Sequence, residues 1–333
     1  MEQIVLGDTG RLTTRLGFGC SGLMGATSRR ASLAILESAY DAGIRHFDVA
    51  PMYGYGEAEG CLGEFLQRHR GELTVTTKYG IPPARPSLVS IGRRVAGPVV
   101  RTFPGLKKRL ADAANAATRN SEKATFAPEQ AKVSLERSLV ALRTDHIDVW
   151  LLHEASAVDL RDDALLTLLE EEAKKGTIGA FGIGSEAAKI AALIAEYPNY
   201  CRTLQYDWSV LNPSIEVTSP SAQMRFRIHH RTLTDNFRAL HRALVHNKQL
   251  CQLWSSSTGV DLSNAEDLAR LMLKASLVLN PASLILFSSK NPQHILSNVE
   301  VASDRSLDEP AKQLHKLIQT DRKLLLANVA GTN

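Results

Sequence analysis

Gly43-Ile-Arg-His-Phe-Asp48-Val-Ala-Pro-Met-Tyr53-Gly-Tyr-Gly-Glu-Ala-Glu59 begins as a strand and ends as a loop. Ile44, Phe47 and Val49 are strand formers, and Gly43 suits the end of a preceding helix. Beyond Asp48 the stretch becomes rich in Gly and Pro, where a buried strand cannot continue. An acid therefore closes a strand, and a tyrosine follows five residues later. A buried carboxylate needs a cationic partner, because an unpaired buried charge is costly. Lys78 closes the next strand candidate, Leu73-Thr-Val-Thr-Thr77, and is placed to be that partner.

The same alternation extends along the whole chain. Strands are predicted to begin near residues 14, 44, 73, 147, 178, 202, 226 and 283, with Phe226–Arg231 the poorest of them. Between them, three- and four-residue apolar spacing predicts helices after Ser28 (Thr27 or Ser28 as N-cap), over 58–68, from Pro128, and over 161–175, 187–195, 237–252, 265–278 and 309–326. Strands alternating with helices demand a parallel sheet. Eight such units predict an α/β fold, a (β/α)8 TIM barrel, with its active site at the C-terminal strand ends. An N-terminal β-hairpin is expected before it: Ile4-Val-Leu, a turn at Asp8-Thr-Gly10, and a return over Thr13–Phe18. One domain over 1–333 is expected. Gly17-Phe-Gly19-Cys-Ser-Gly22 is a literal GxGxxG, the outline of a Rossmann unit. Leu23–Ser28 separates it from its helix, however, and Asp48 lies several residues too far on, so the barrel is preferred.

Composition narrows the class. The chain has 333 residues, 44% hydrophobic and 22% charged, as in ordinary globular proteins. No apolar run of roughly 18 residues suggests a membrane span, and Met1–Asp8 lacks the pattern of a signal peptide. The four cysteines, Cys20, Cys61, Cys201 and Cys251, are scattered and suggest reduced thiols in a cytoplasm. A net charge of +4 is too mild to argue for nucleic acid. No His/Asp cluster has metal-ligand spacing, and nothing in the sequence bears on oligomeric state.

His153 closes the next strand candidate, Ile147–Leu152. Asp48, Tyr53, Lys78 and His153 thus gather at one end of three consecutive strands. Taken singly, each has an ordinary reading as cap, packing residue or solvated charge. Together they suggest an acid. A tyrosine titrates near 10, and an adjacent ammonium is expected to lower that value. Asp48 would hold Lys78, Tyr53 would protonate a carbonyl oxygen, and His153 would donate a second hydrogen bond to it.

On these residues the chain resembles the aldo-keto reductases. Asp48-Val-Ala-Pro-Met-Tyr53-Gly is similar to that family's Asp-Thr-Ala-x-x-Tyr-Gly, and Glu59–Gly63 continues its Ser-Glu-x-x-x-Gly with Ala58 for the Ser. Thr77-Lys78 resembles the lysine strand, and Ser134–His153 the helix and strand that deliver the histidine. The resemblance runs from residue 3 to about 210. It implies a barrel with a hairpin plug, NADPH or NADH as cofactor, and a small carbonyl compound as substrate: an aldehyde, ketone or sugar. It also implies the roles already given to the four residues. Oxidation of an aldose or similar alcohol, and a nicotinamide-binding regulatory subunit with little turnover, stay open as alternatives.

The cofactor half departs further from the family. Gln205 stands where the family binds the nicotinamide amide, and Ser185 where Asn is usual. His230 and Arg231 replace Tyr and Ser, implying a stacking and a pyrophosphate role. Ser288, Ser289, Lys290, His294 and Asn298 fall in the adenosine segment, with Ser288 for its Lys and His294 for its Arg. Those cations normally meet a 2′-phosphate, so a weakened NADPH preference is expected, with Lys290 either the substitute or a solvated loop charge. Residues 81–125 hold nine basic against two acidic residues, a net +7. They are expected to form either a solvated insertion or a lid that draws anionic carbonyl substrates; sparse aromatics there argue against nucleic acid.

Overall fold

The computed structural model describes residues 1–25, 27–83, 125–212 and 225–321. Eight parallel strands close into a barrel: β3 Leu16–Gly19, β4 His46–Asp48, β5 Thr74–Tyr79, β6 Ile147–His153, β7 Ile178–Gly184, β8 Thr203–Asp207, β9 Phe226–His230 and β10 Ser283–Phe287, with β10 paired to both β9 and β3. Strands β1 Gln3–Val5 and β2 Leu12–Thr14 form a separate antiparallel hairpin with Gln3 opposite Thr14. The return expected over 13–18 is therefore two strands. They part at Arg15, whose guanidinium bonds Glu2 and the carbonyls of Leu277 and Asn280. The basic stretch 81–125 lies outside the described residues except at its two ends.

Helices α1 Arg29–Asp41, α2 Ala58–His69, α3 Pro128–Leu142, α4 Asp163–Lys175 and α5 Ala187–Glu196 follow β3 to β7. Ser28 caps α1 by accepting from the Ala31 amide. The helix expected over 237–252 is two, α6 Thr234–His246 and α7 Lys248–Thr258. They divide at Asn247, whose side chain accepts from the Leu250 amide and starts α7 afresh. Then come α8 Ala265–Leu279, α9 Pro292–Ser303 and α10 Asp308–Thr320. Among the described residues no helix is long and apolar enough to cross a membrane.

Alternate residues on each strand separate into two cores. Phe47, Val75, Trp150, Leu152, Phe181, Ile183, Leu204 and Ile285 pack outward under the helices. Val149, Leu151, Ala180, Ile228, Leu284 and Leu286 fill the interior, with Leu6 of the hairpin among them. That period of two turns Asp48, Lys78, His153, Gln205 and His230 inward as well. Glu59 and Gly63, the two residues of the Glu-x-x-x-Gly pattern on α2, both have packing roles. Gly63 lets α2 approach the end of α3, since a Cβ there would lie 2.2 Å from the Ala141 carbonyl oxygen. Glu59 is buried and accepts from Thr77 Oγ1 at 2.7 Å, beside Lys78.

Asp148 ties hairpin, helix and barrel together. Its fully buried carboxylate meets Arg11 of the hairpin at 2.6 Å, Arg70 after α2 at 3.0 Å and the Val75 amide of β5 at 2.8 Å. Burial pushes the carboxyl up, but His146, the two arginines and that amide outweigh it, holding it below the usual carboxylate range. Asp148→Asn is expected to cost on the order of 3 kcal/mol, because it leaves two arginines around an uncharged partner. Urea unfolding checks this; a change under about 0.5 kcal/mol would contradict the role given to Asp148.

Candidate active site

Strands β4, β5, β6, β8 and β9 and one loop bring Asp48, Lys78, His153, Gln205, His230 and Tyr53 to the barrel mouth. Asp48 pairs with Thr76 in register, Lys78 with Leu151, His153 with Gly184, and Gly184 with Gln205. Lys78 and Asp48 are 2% and 3% exposed, and Lys78 Nζ donates to Asp48 Oδ1 at 2.6 Å and to the Val49 carbonyl at 3.1 Å. The same ammonium lies 5.3 Å from the centre of the Tyr53 ring, within cation–π range. Tyr53 is set by a tight turn: its amide bonds the Ala50 carbonyl, and Gly54 and Tyr55 follow with φ of 58° and 59°. A Cβ at Gly54 would lie 2.6 Å from Met24 Cβ, so the left-handed backbone and the close packing both call for glycine.

The electrostatics correct one expectation. Burial pushes the Tyr53 phenol up; Lys78 pulls it down, while Asp48 and Cys20 push it up, and the balance lies above the ordinary tyrosine value. The lysine thus opposes a desolvation effect larger than its own. For Lys78, burial disfavours the cation, but Asp48 and Tyr53 outweigh it and raise its pKa. At neutral pH the site holds a charged lysine beside a protonated phenol. His153 is driven down to about 3 by burial, Lys78 and His230, and is neutral there. His230 falls to about 4, with burial the main cause and Lys78 adding to it, against an opposing pull from Asp48. A neutral His153 is a hydrogen-bond donor to a carbonyl oxygen rather than a proton source.

Beneath this layer, His46 offers its two ring nitrogens to Thr74 Oγ1 at 3.0 Å and Thr76 Oγ1 at 3.2 Å. Burial pushes it down to about 4.

The remaining candidates divide. Gln205 lies inside the barrel, but its amide donates to Asp48 Oδ2 at 2.7 Å. Ser185 is buried, and its hydroxyl donates to Glu154 Oε2 at 3.1 Å. Glu154 also meets Lys189 at 3.0 Å. It adopts a φ of 58° directly after His153, and sequence reasoning passed over it although it adjoins that histidine. Arg231 lines a cavity of about 390 Å³ with Asp207, Trp208, Ser209, Asn212, Thr234 and Asn236. Exposed Ser288 and Lys290 lie over the β3–α1 turn, where a Cβ on Gly22 would sit 3.3 Å from Lys290 Cε and 3.5 Å from Ser288 Oγ. Ser289 bonds the Asn291 backbone just before α9. His294 and Asn298 are on α9 itself, exposed and half-buried. Polar donors in the mouth and cations at its rim suit an anionic dinucleotide whose neutral head enters the barrel.

Residues 15–225 match the model of the Aldo/keto reductase family. The chain is 40% identical to pyridoxal 4-dehydrogenase of Microbacterium luteolum over 26% of this chain and 29% of that protein. It is 34% identical to D-threo-aldose 1-dehydrogenase of a Pseudomonas species over 51% and 49%. The chain thus spans no more than about half the length of these curated relatives. Among solved structures, an aldo-keto reductase from Bacillus halodurans in its holo form superposes with a TM-score of 0.65 at 17% identity, covering 94% of this chain and 96% of that one. One from Klebsiella pneumoniae in complex with NADP and acetate gives 0.64 at 17%, covering 96% and 95%. At such identity these two speak to the fold.

Proposed function

The chain belongs to the aldo/keto reductase family, and from that premise we propose that it reduces an aldehyde, ketone or sugar carbonyl with NADPH or NADH. The observation that carries the reading is the buried Lys78–Asp48 pair lying against the Tyr53 ring. When bound, the reduced nicotinamide supplies a hydride. Ser185, Gln205, His230, Arg231, Ser288, Ser289, Lys290, His294 and Asn298 are the residues that would hold the cofactor. The Tyr53 hydroxyl gives its proton to the carbonyl oxygen as negative charge develops there. Lys78 stabilises the phenolate left behind, and Asp48 keeps Lys78 aimed. Neutral His153 donates a hydrogen bond to the same oxygen and orients it. Following cofactor absorbance over a panel of carbonyl compounds tests this; no turnover with either nicotinamide would overturn it.

A second reading runs the chemistry in the oxidative direction, since two similar proteins are named dehydrogenases. Tyr53 would then act as the base, and its raised pKa leaves little phenolate at neutral pH. Oxidation is accordingly expected to accelerate with pH well into the alkaline range, whereas reduction stays level. Initial rates in both directions from pH 6 to 10 separate the two readings.

Cofactor choice should follow the rim. With Ser288 and His294 in place of family cations, Lys290 is the remaining cation proposed for a 2′-phosphate. NADPH is expected to be preferred over NADH by less than about a hundredfold, and Lys290→Ala to narrow the gap further. A preference of about a hundredfold that survives Lys290→Ala contradicts that assignment.

A further inference from the structure

Gln205 and Asp48 sit directly across the barrel from each other. Their strands, β8 and β4, are four apart in a closed ring of eight, so the 2.7 Å bond between their side chains spans the interior. The two Asp48 oxygens are shared out: Oδ1 accepts from Lys78 and Oδ2 from Gln205. A carboxylate gripped on one oxygen alone could rotate about its Cβ–Cγ bond; gripped on both, it is fixed in plane and position. The other end of the Gln205 amide, Oε1, points beside Gly184, where an added Cβ would lie 3.4 Å away. Being an acceptor, that oxygen suits an incoming N–H.

From this geometry we infer that Gln205 is a positioning residue for the proton-donating group: one N–H of its Nε2 locks Asp48, Asp48 locks Lys78, and Lys78 sets Tyr53, while Oε1 is the acceptor that would meet the cofactor amide. The inference rests on the reductase reading above and deepens it. It divides one side chain between two tasks, and the tasks are separable by substitution. Gln205→Met removes both ends. Gln205→Glu keeps an acceptor oxygen but loses the N–H donor.

The glutamate variant carries the sharper test. Two carboxylates in contact share a proton at low pH and repel each other when both ionise. Holding that proton, Glu at position 205 would donate O–H to Asp48 and imitate the glutamine; losing it, Glu would push Asp48 away. The other titratable and charged groups facing Asp48 are Cys20 just after β3, His46 on β4, Tyr53, Lys78 on β5 and His230 on β9, with His153 and Asp207 bordering Lys78 and His230. His46, His153 and His230 lie at about 4, 3 and 4, while Cys20, Tyr53 and Lys78 are raised. These six therefore keep one state between pH 6 and 8, and the introduced pair is what changes.

The experiment measures kcat at saturating NADPH across pH 6–8, and NADPH affinity by protein fluorescence quenching, for wild type, Gln205→Glu and Gln205→Met. The ratio of Gln205→Glu to wild-type kcat is expected to climb about tenfold from pH 8 to pH 6, one decade or so for a single proton. Its NADPH affinity at pH 6 should stay within about threefold of wild type. Gln205→Met is expected to lose kcat about tenfold or more at every pH, and affinity as well. A flat ratio for Gln205→Glu, or a Gln205→Met whose kcat at saturation equals wild type, overturns the inference; the latter holds even if the glutamate variant fails to fold. Wild type without turnover would instead sink the reductase reading.

Discussion

Tyr53→Phe is expected to slow carbonyl reduction on the order of 10³-fold while leaving NADPH affinity within about threefold. The substitution removes one oxygen from a half-buried ring whose packing is otherwise kept. The neighbours cannot take over its task. His153 is neutral down to about pH 3 and would have to donate as imidazole. Lys78 is held by Asp48 and Val49 and carries a raised pKa, which makes it a reluctant acid. Single-turnover oxidation of bound NADPH reads the chemical step, and fluorescence titration reads binding. A Tyr53→Phe enzyme with more than about a tenth of wild-type rate would mean that another group supplies the proton.

Acid should unfold this protein through its histidines, before its carboxylates protonate. His46 and His229 are completely buried and lowered from 6.5 to about 4 and about 3, chiefly by burial, with opposing pulls from nearby carboxylates at His46. The sign follows from proton counting. Below 6.5 the unfolded chain binds a proton at each of them, the folded chain does not, and stability falls as pH falls towards the folded values. Each contributes about 1.4 kcal/mol per pH unit in that window. From pH 6.5 to 4.5 the two together remove about 5 kcal/mol, comparable to the whole stability of a marginal domain. His153 and His230 act in the same direction. Urea midpoints measured across this range are expected to drop steeply, and His46→Asn, which removes one of the four histidines, to flatten the slope by about a quarter. A stability level from pH 7 to 4.5 would contradict the burial of these rings as neutral groups.

The barrel could be read from the chain because strand and helix periods differ so sharply, and each strand end carries its own punctuation. Asp48, Lys78 and His153 were legible for the same reason: Asp48 and His153 close their strands, Lys78 stands one residue before the end of its own, and strand ends in a barrel converge. What periodicity carries less well is where one apolar run is two elements. Helices α6 and α7 share continuous spacing, and only the Asn247 cap divides them. Helix α9 went unread although Asn291 caps it and Pro292 opens it. Contacts across the interior were not legible at all. Gln205 and Asp48 are 157 residues apart, and no local pattern says which opposed side chains reach each other. The Tyr53 shift was misjudged because its sign is a contest between burial and one nearby cation, and burial is a property of the folded chain. Glu154, beside His153, had a signal in its position but none in its residue type.

The most direct measurement compares single-turnover NADPH oxidation in wild type, Tyr53→Phe, Lys78→Met and the double variant. Because the lysine acts through the phenol, removing it from an enzyme already lacking the hydroxyl should cost little: the double variant is expected within about threefold of Tyr53→Phe. If the two losses instead multiply, ammonium and phenol work independently, and the coupled acid at the barrel mouth is wrong.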